Sequence, residues 1–282
     1  MAQRRNLKNQ MTLALGTGEY ANDAISSSAM NKKKKKSLPR GFFSKALMKD
    51  TIQILPDLPD TTEIDEIRKY LWKNLKYSAE SSRKRYSLYI LKRMFPTGRA
   101  DKPLRDFAYK FAYCQELKDV VFYRFCKAEP LMIDVIYELI LPALGKGTIS
   151  RSSITQYLQS RYPDISRVQD CSKSIVEALS SAGIVSADKQ KINFATRKPL
   201  YASFAFILHS EFPKTGIYPV KSLLENPFFT GMLWDTEQFL MNLYELRNRG
   251  LIAKVSEIDN IRQFTTKYTL DEVVNQLENI GE

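Results

Sequence analysis

The stretch 246–270, LRNRGLIAKVSEIDNIRQFTTKYTL, decides how this chain is read. A helix runs into Arg249-Gly250, and two short alternating strands follow with Glu257-Ile258-Asp259-Asn260 between them. Gly past a helix end, and Asp or Asn in a tight turn, tolerate a left-handed backbone. A helix followed by such a hairpin is the closing part of a winged helix, a module often met on DNA. Working backwards, Asp235 and Gln238 stand at capping-box spacing and start that helix. Phe239, Leu243 and Leu246 share one face, so Glu237, Met241, Tyr244, Glu245 and Asn248 point outward. A base-reading helix offers Arg, Lys, Asn or Gln, chiefly from its N-terminal part. This face offers two carboxylates, a methionine and a tyrosine, with Arg247 and Arg249 only at its far end. The expectation is therefore a packing or protein-contact module. Lys254, Arg262 and Lys267 on the wing leave it a minor DNA role.

The chain has 282 residues, 44% hydrophobic and 26% charged, which is the composition of a globular protein with two or three small cores. No apolar run approaches the roughly 20 residues that span a bilayer. Met11–Leu15 is too short for a signal peptide, so the expectation is a soluble cytoplasmic protein. Cys114, Cys126 and Cys171 have no metal-ligand spacing and fit reduced, buried thiols.

Net charge is +12, unevenly spread. Residues 1–50 carry +8, 68–127 carry +11 and 147–199 carry +4, while 51–67 carry −5 and 200–282 carry −4. A polyanionic partner is expected, met by the middle of the chain and not by its end.

Four parts are expected. Residues 1–41 read as a flexible basic tail ending in five lysines (32–36) that repel one another. Residues 42–146 read as a basic helical domain. Its first helix lies in 61–76, with Thr62 and Asp65 as a capping box. A second spans 81–95, with Leu88, Leu91, Met94 and Phe95 as its apolar side. Residues 102–127 form one long helix or two shorter ones, and 130–144 form a near-apolar segment central to the core. Residues 147–199 read as a winged-helix-like unit, with helices over 150–163 and 166–185 and a small wing over 186–195. Residues 200–282 read as the C-terminal winged-helix domain, with helices over 200–213, 220–229 and 235–250. A closing helix over 269–280 is capped by Thr269 or Asp271. The echo between ALSSAGIV (178–185) and ELRNRGLI (245–252) points to two related units. The fold class is mainly α, a helical bundle domain followed by winged-helix-like units with short β-hairpins.

No catalytic signature emerges. Gly145-Lys146-Gly147 and Gly16-Thr17-Gly18 lack the context of a phosphate-binding loop, and His209 is the sole histidine. An enzyme, a metal and a cofactor are not expected. The electrostatic case is strongest on the helix 81–95, where Arg85 and Lys92 lie seven apart on one face beside Arg93 and Tyr89. Arg83 and Lys84 extend that patch, and Arg99 and Lys102 support it. Arg167, Lys173, Lys189 and Lys191 are the candidates in the following unit, where Asp170 and Glu177 oppose phosphate approach.

The run IRKYLWKNLKYSAESSRKRYSLYILKRMF (67–95) resembles the N-terminal signature of the BrxA family of bacterial BREX phage-defence systems. In that signature a helix ending in Asn-Leu, here Asn74-Leu75, precedes a Ser-rich turn and a basic helix. ELKDVVFYRFCKAEPLMIDVIYEL (116–139) is similar to the next family block, and SKSIVEALSSAGIV (172–185) to its last shared helix. The resemblance covers about 42–195 and implies an all-helical protein with winged-helix character. It also implies DNA binding without enzymatic activity, inside a multi-protein system that marks host DNA and blocks phage replication. The lysine tail and the 200–282 extension depart from shorter members. The combined expectation is a protein that binds duplex DNA through phosphates with little base specificity. Its C-terminal unit docks another defence protein or a second copy of the chain. The alternatives are a protein-interaction adaptor, which would bind DNA weakly, and a sequence-specific regulator, which would prefer one operator about 10³-fold or more.

Overall fold

The computed structural model describes residues 42–277; the expected tail 1–41 and the end of the closing helix lie outside them. Helix α1 (Met48–Ile54) leads through a 3-10 turn to α2 (Ile64–Asn74) and α3 (Glu80–Met94). No capping box starts α2: its N-cap is Glu63, whose N–H donates to Thr61 Oγ1 at 3.0 Å. Residues 102–127 are two helices, α4 (Lys102–Lys110) and α5 (Gln115–Ala128), parted where Tyr113 turns left-handed at φ 67°.

The 130–144 segment gives one side to the core, with Leu131, Met132, Val135, Ile136 and Ile140 buried. Helix α6 (Pro130–Val135) runs on as a π-turn and a 3-10 turn, and Tyr137 on it is exposed. The central helices are α5, with Leu117, Val120, Val121, Phe122, Tyr123, Phe125 and Cys126 all buried, and α9 (Tyr201–Glu211), where 202–209 are buried without a break. A helix apolar on every side must be enclosed on every side. The two pack together, and Phe206 of α9 meets Phe107 of α4 edge-on at 4.9 Å.

Two stretches share a strand–helices–hairpin order, the second with one α-helix more. After α6 come β1 (Thr148–Ser150), α7 (Arg151–Arg161), α8 (Val168–Ser181), β2 (Ser186–Ala187) and β3 (Lys191–Asn193), with sheet order β1-β3-β2. After α9 come β4 (Gly216–Pro219), α10 (Lys221–Glu225), α11 (Pro227–Gly231), α12 (Phe239–Asn248), β5 (Lys254–Ile258) and β6 (Ile261–Thr266), with sheet order β4-β6-β5. The pairings within both sheets are antiparallel, with Ile149 opposite Ile192 and Tyr218 opposite Phe264.

The sequence echo has a structural counterpart. Gly183 and Gly250 both adopt positive φ, 70° and 74°. One residue later Ile184 N–H reaches back to Leu179 O at 3.0 Å, and Leu251 N–H to Leu246 O at 2.8 Å. Both helices thus end in the same six-to-one closure that glycine permits. Asp259 and Asn260, φ 51° and 62°, form a two-residue hairpin turn, so the strands are longer and the turn shorter than the sequence suggests. Helix α13 (Leu270–Gln276) closes the described chain, and of its two candidate caps Thr269 is the one used, in a capping box with Glu272.

Candidate nucleic-acid interface

Sixteen Lys and Arg occupy 68–127 against five Asp and Glu, but the fold brings acids to them from elsewhere. Arg93 is the clearest case. Expected on an outer phosphate face, it is 5% exposed: Nε donates to Glu129 at 2.9 Å, and the guanidinium to Ala46 O at 2.5 Å and Lys45 O at 2.9 Å. The inward face of α3 is Tyr86, Ile90, Leu91, Arg93 and Met94, and Leu88, expected in the core, is 48% exposed. The chain before α1 lies against this side of α3 and supplies the carbonyls that admit a charged group.

Lys102 is held by Asp106 at 2.6 Å and Asp271 at 3.3 Å. Arg105 meets Asp60, Arg124 meets Asp101, and Lys127 meets Glu211. Arg83 donates to the carbonyls of Tyr77 at 2.6 Å and Ser78 at 3.1 Å and so fixes the turn into α3. Among the first-domain candidates, Lys84, Arg85, Lys92 and Arg99 are exposed, and none is ion-paired with a described residue. Arg85 lies over the Tyr86 ring at 5.0 Å, and Lys84 over Trp72 at 6.0 Å.

A different basic surface lies between α7, α8 and the β2–β3 hairpin. Ile154 and Leu158 turn one side of α7 inward, which leaves Ser152, Thr155, Gln156 and Gln159 along the other. Val168, Cys171, Ile175 and Leu179 bury the inner side of α8, as the spacing predicts. Gln169, Ser172 and Lys173 face α7 across a groove of about 630 Å³, with Arg151 and Lys189 also on its walls. Thr155 Oγ1 donates to Ser172 Oγ at 2.9 Å across the groove floor. No carboxylate lines this groove among the described residues. Arg167, at the start of α8, and Lys191, on the hairpin, are exposed nearby, so all four candidates of this unit stand at the solvent edge.

Of the two acids expected to repel phosphate, Glu177 is half-buried against α1 and Asp170 stays exposed, and neither lines the groove. Glu177 Oε1 accepts from the N–H of Met48 at 3.1 Å and Lys49 at 3.4 Å, capping α1. Burial raises its pKa, against the pull of those two bonds. Asp170 lines the neighbouring hollow with Lys49, Glu177 and Lys173, which stands between that hollow and the groove. On the hairpin, the Asp188 carboxylate accepts from the N–H of Lys191 and Gln190, both at 2.7 Å. Those two bonds hold its pKa down, so it stays ionised and engaged with the turn. Arg151 Nη1 donates to Asp188 O at 2.8 Å, which ties α7 to the hairpin.

The second unit has a similar order of elements, with one α-helix more, and a different surface. Phe239, Leu243 and Leu246 of α12 are buried as expected, with Met241 59% and Tyr244 40% exposed. Asp235 caps the preceding 3-10 turn through Glu237 N–H at 3.1 Å. Arg249 is paired with Glu245, Arg262 with Glu257 and Lys221 with Glu225. His209 is buried in α9, its Nδ1 3.2 Å from Tyr268 O, and burial lowers its pKa to about 4.

Sequence reasoning missed Arg151 and the three glutamines of the groove. Their signal was the spacing of Ser152, Thr155, Gln156 and Gln159 at three and four residues, a polar face on α7 that a search for charge passes over. A protein-family model described as BrxA matches residues 43–194, which run from the segment before α1 through β3. No curated protein and no solved structure matches the chain.

Proposed function

The chain belongs to the BrxA family of bacterial BREX phage-defence systems, and from that premise we propose that it is a non-enzymatic, duplex-DNA-binding component of such a system, acting in the cytoplasm. The observation that carries this reading is the groove between α7, α8 and the β2–β3 hairpin, basic and free of lining carboxylates. Arg151, Lys173 and Lys189 on its walls, with Arg167 and Lys191 beside it, are spaced along a concave surface where phosphates can approach. We read both repeated units as winged helices, with α8 and α12 as the helices that lead into their hairpins and the hairpins as wings. The exposed Lys84, Arg85, Lys92 and Arg99 form a second basic face, auxiliary to the groove. Arg93 and Lys102 are structural.

The second unit takes the role of protein contact. Its exposed Met241 and Tyr244, and Ile258 and Ile261 at the wing tip, suit a defence-system partner or a second copy of the chain. No helix of the described residues is long and apolar enough to cross a membrane.

The test is binding of a random-sequence duplex across a salt series. The proposal expects affinity that falls linearly on a log–log plot, with roughly 0.9 in slope for each phosphate contacted. Binding that is absent at low salt, or indifferent to salt, would leave the adaptor as the better reading.

A further inference from the structure

We propose that the groove of the first unit reads bases as well as phosphates, through the side-chain amides of Gln156, Gln159 and Gln169, and selects duplex sites containing adenine. This rests on the groove being a duplex-DNA surface. Its walls divide by chemistry. Arg151, Lys173 and Lys189 supply charge, and the three glutamines supply uncharged groups that both donate and accept. Phosphate oxygens only accept, so an amide meeting phosphate alone would use half of what it offers. The major-groove edge of adenine presents N7 as acceptor and the N6 amino group as donor, and a glutamine amide matches that pair with two bonds.

Placement and freedom agree with this assignment. Gln169 lies in the first turn of α8, the part of a groove-entering helix from which base contacts come. Gln156 and Gln159 sit on the face of α7 that lines the same groove. All three are exposed, and none of their amides is hydrogen-bonded to a described residue. Gln115, a structural glutamine, behaves otherwise: its amide donates to Asp119 at 2.9 Å and to Ala182 O at 2.8 Å. The glutamines of the groove hold nothing in the fold together and are left for a ligand that has both donors and acceptors.

The experiment is selection from a randomised duplex pool by the full chain, then competition between the selected duplex and its scrambled version at fixed salt. It is run on wild type, Gln156→Ala/Gln159→Ala/Gln169→Ala and Gln169→Ala alone. The expected result is an adenine-containing site preferred roughly tenfold or more by wild type, a bidentate pair being enough for that. The triple variant would lose the preference while keeping its affinity for random duplex, and Gln169→Ala would lose part of it. Equal affinity of wild type for every duplex would overturn base reading and leave phosphate binding standing. So would a preference that survives in the triple variant. Failure of wild type to bind any duplex would overturn both.

Discussion

Counted back from Gly183 and Gly250, α8 aligns with α12 and the 3-10 turn before it, and the surfaces of the two units part company. Gln169 and Lys173 of α8 correspond to Thr236 and Leu240, and Gln156 of α7 to the buried Leu223. The first unit gathers Arg151, Lys173 and Lys189 along a groove that no described carboxylate lines, although Lys173 also borders the hollow of Asp170 and Glu177, while the second closes Arg249 on Glu245 and Arg262 on Glu257. Both units set helices between a first strand and a closing hairpin, so that order cannot by itself decide what either unit binds. What differs is where the cations stand: the first unit gathers them along one groove without lining carboxylates, while in the second Arg249, Arg262 and Lys221 are each closed on a glutamate. A paired cation would have to give up its carboxylate to take a phosphate, and the exchange gains little.

The same rule separates Arg93 from its neighbours, and it gives the largest expected effect. Arg93→Ala leaves Glu129 buried without its partner, which should cost about 3–5 kcal/mol in urea unfolding. DNA affinity per folded molecule should be unchanged. An Arg93→Ala protein of normal stability with weakened DNA binding would break the distinction between inner and outer cations.

Acid should act on the second unit through His209. Its unfolded pKa is near 6.5 and its folded one about 4. Its contribution is therefore whole above pH 6.5 and is lost as pH falls toward 4. By pH 4.5 this amounts to about 2–3 kcal/mol. Stability measured from pH 7.5 to 4.5 should fall less in His209→Gln than in wild type; parallel curves would show that the burial of this imidazole does not govern the acid response. A smaller change is expected from Lys84→Glu/Arg85→Glu/Lys92→Glu. It should weaken binding to random duplex and lower the salt slope by less than a matching reversal in the groove does, as a secondary face would. Met241→Ala/Tyr244→Ala is the mildest, within about 0.5 kcal/mol in stability and without effect on DNA. Analytical ultracentrifugation would show whether it also abolishes self-association, and a loss of DNA binding would contradict the division of labour between the units.

Much of the fold was legible because its signals are local. Glycines 183 and 250, the alternation on either side of Asp259-Asn260, and the stripe Val168, Cys171, Ile175, Leu179 need no distant residue to be read. The site was less so, because charge is spent between residues far apart in sequence. Arg105 with Asp60, Lys127 with Glu211 and Lys102 with Asp271 subtract from a surplus that counting along 68–127 leaves intact. Likewise Glu177 looks like an obstacle to phosphate until α1 arrives to be capped by it. The rotation of α3 that exposes Leu88 and buries Arg93 depends on Glu129 and on carbonyls 45 and 46, which no periodicity within 81–95 encodes.

The most direct measurement compares two charge reversals of equal size against wild type, by binding of one random duplex over a salt series. Arg151→Glu/Lys173→Glu/Lys189→Glu alters the groove of the first unit, and Lys254→Glu/Arg262→Glu/Lys267→Glu alters the wing region of the second. DNA binding through the first unit predicts that the groove variant loses on the order of a hundredfold or more in affinity at low salt, with a slope shallower by about 2–3. The wing variant should stay close to wild type in both. Equal losses from the two variants, or a greater loss from the wing, would contradict it.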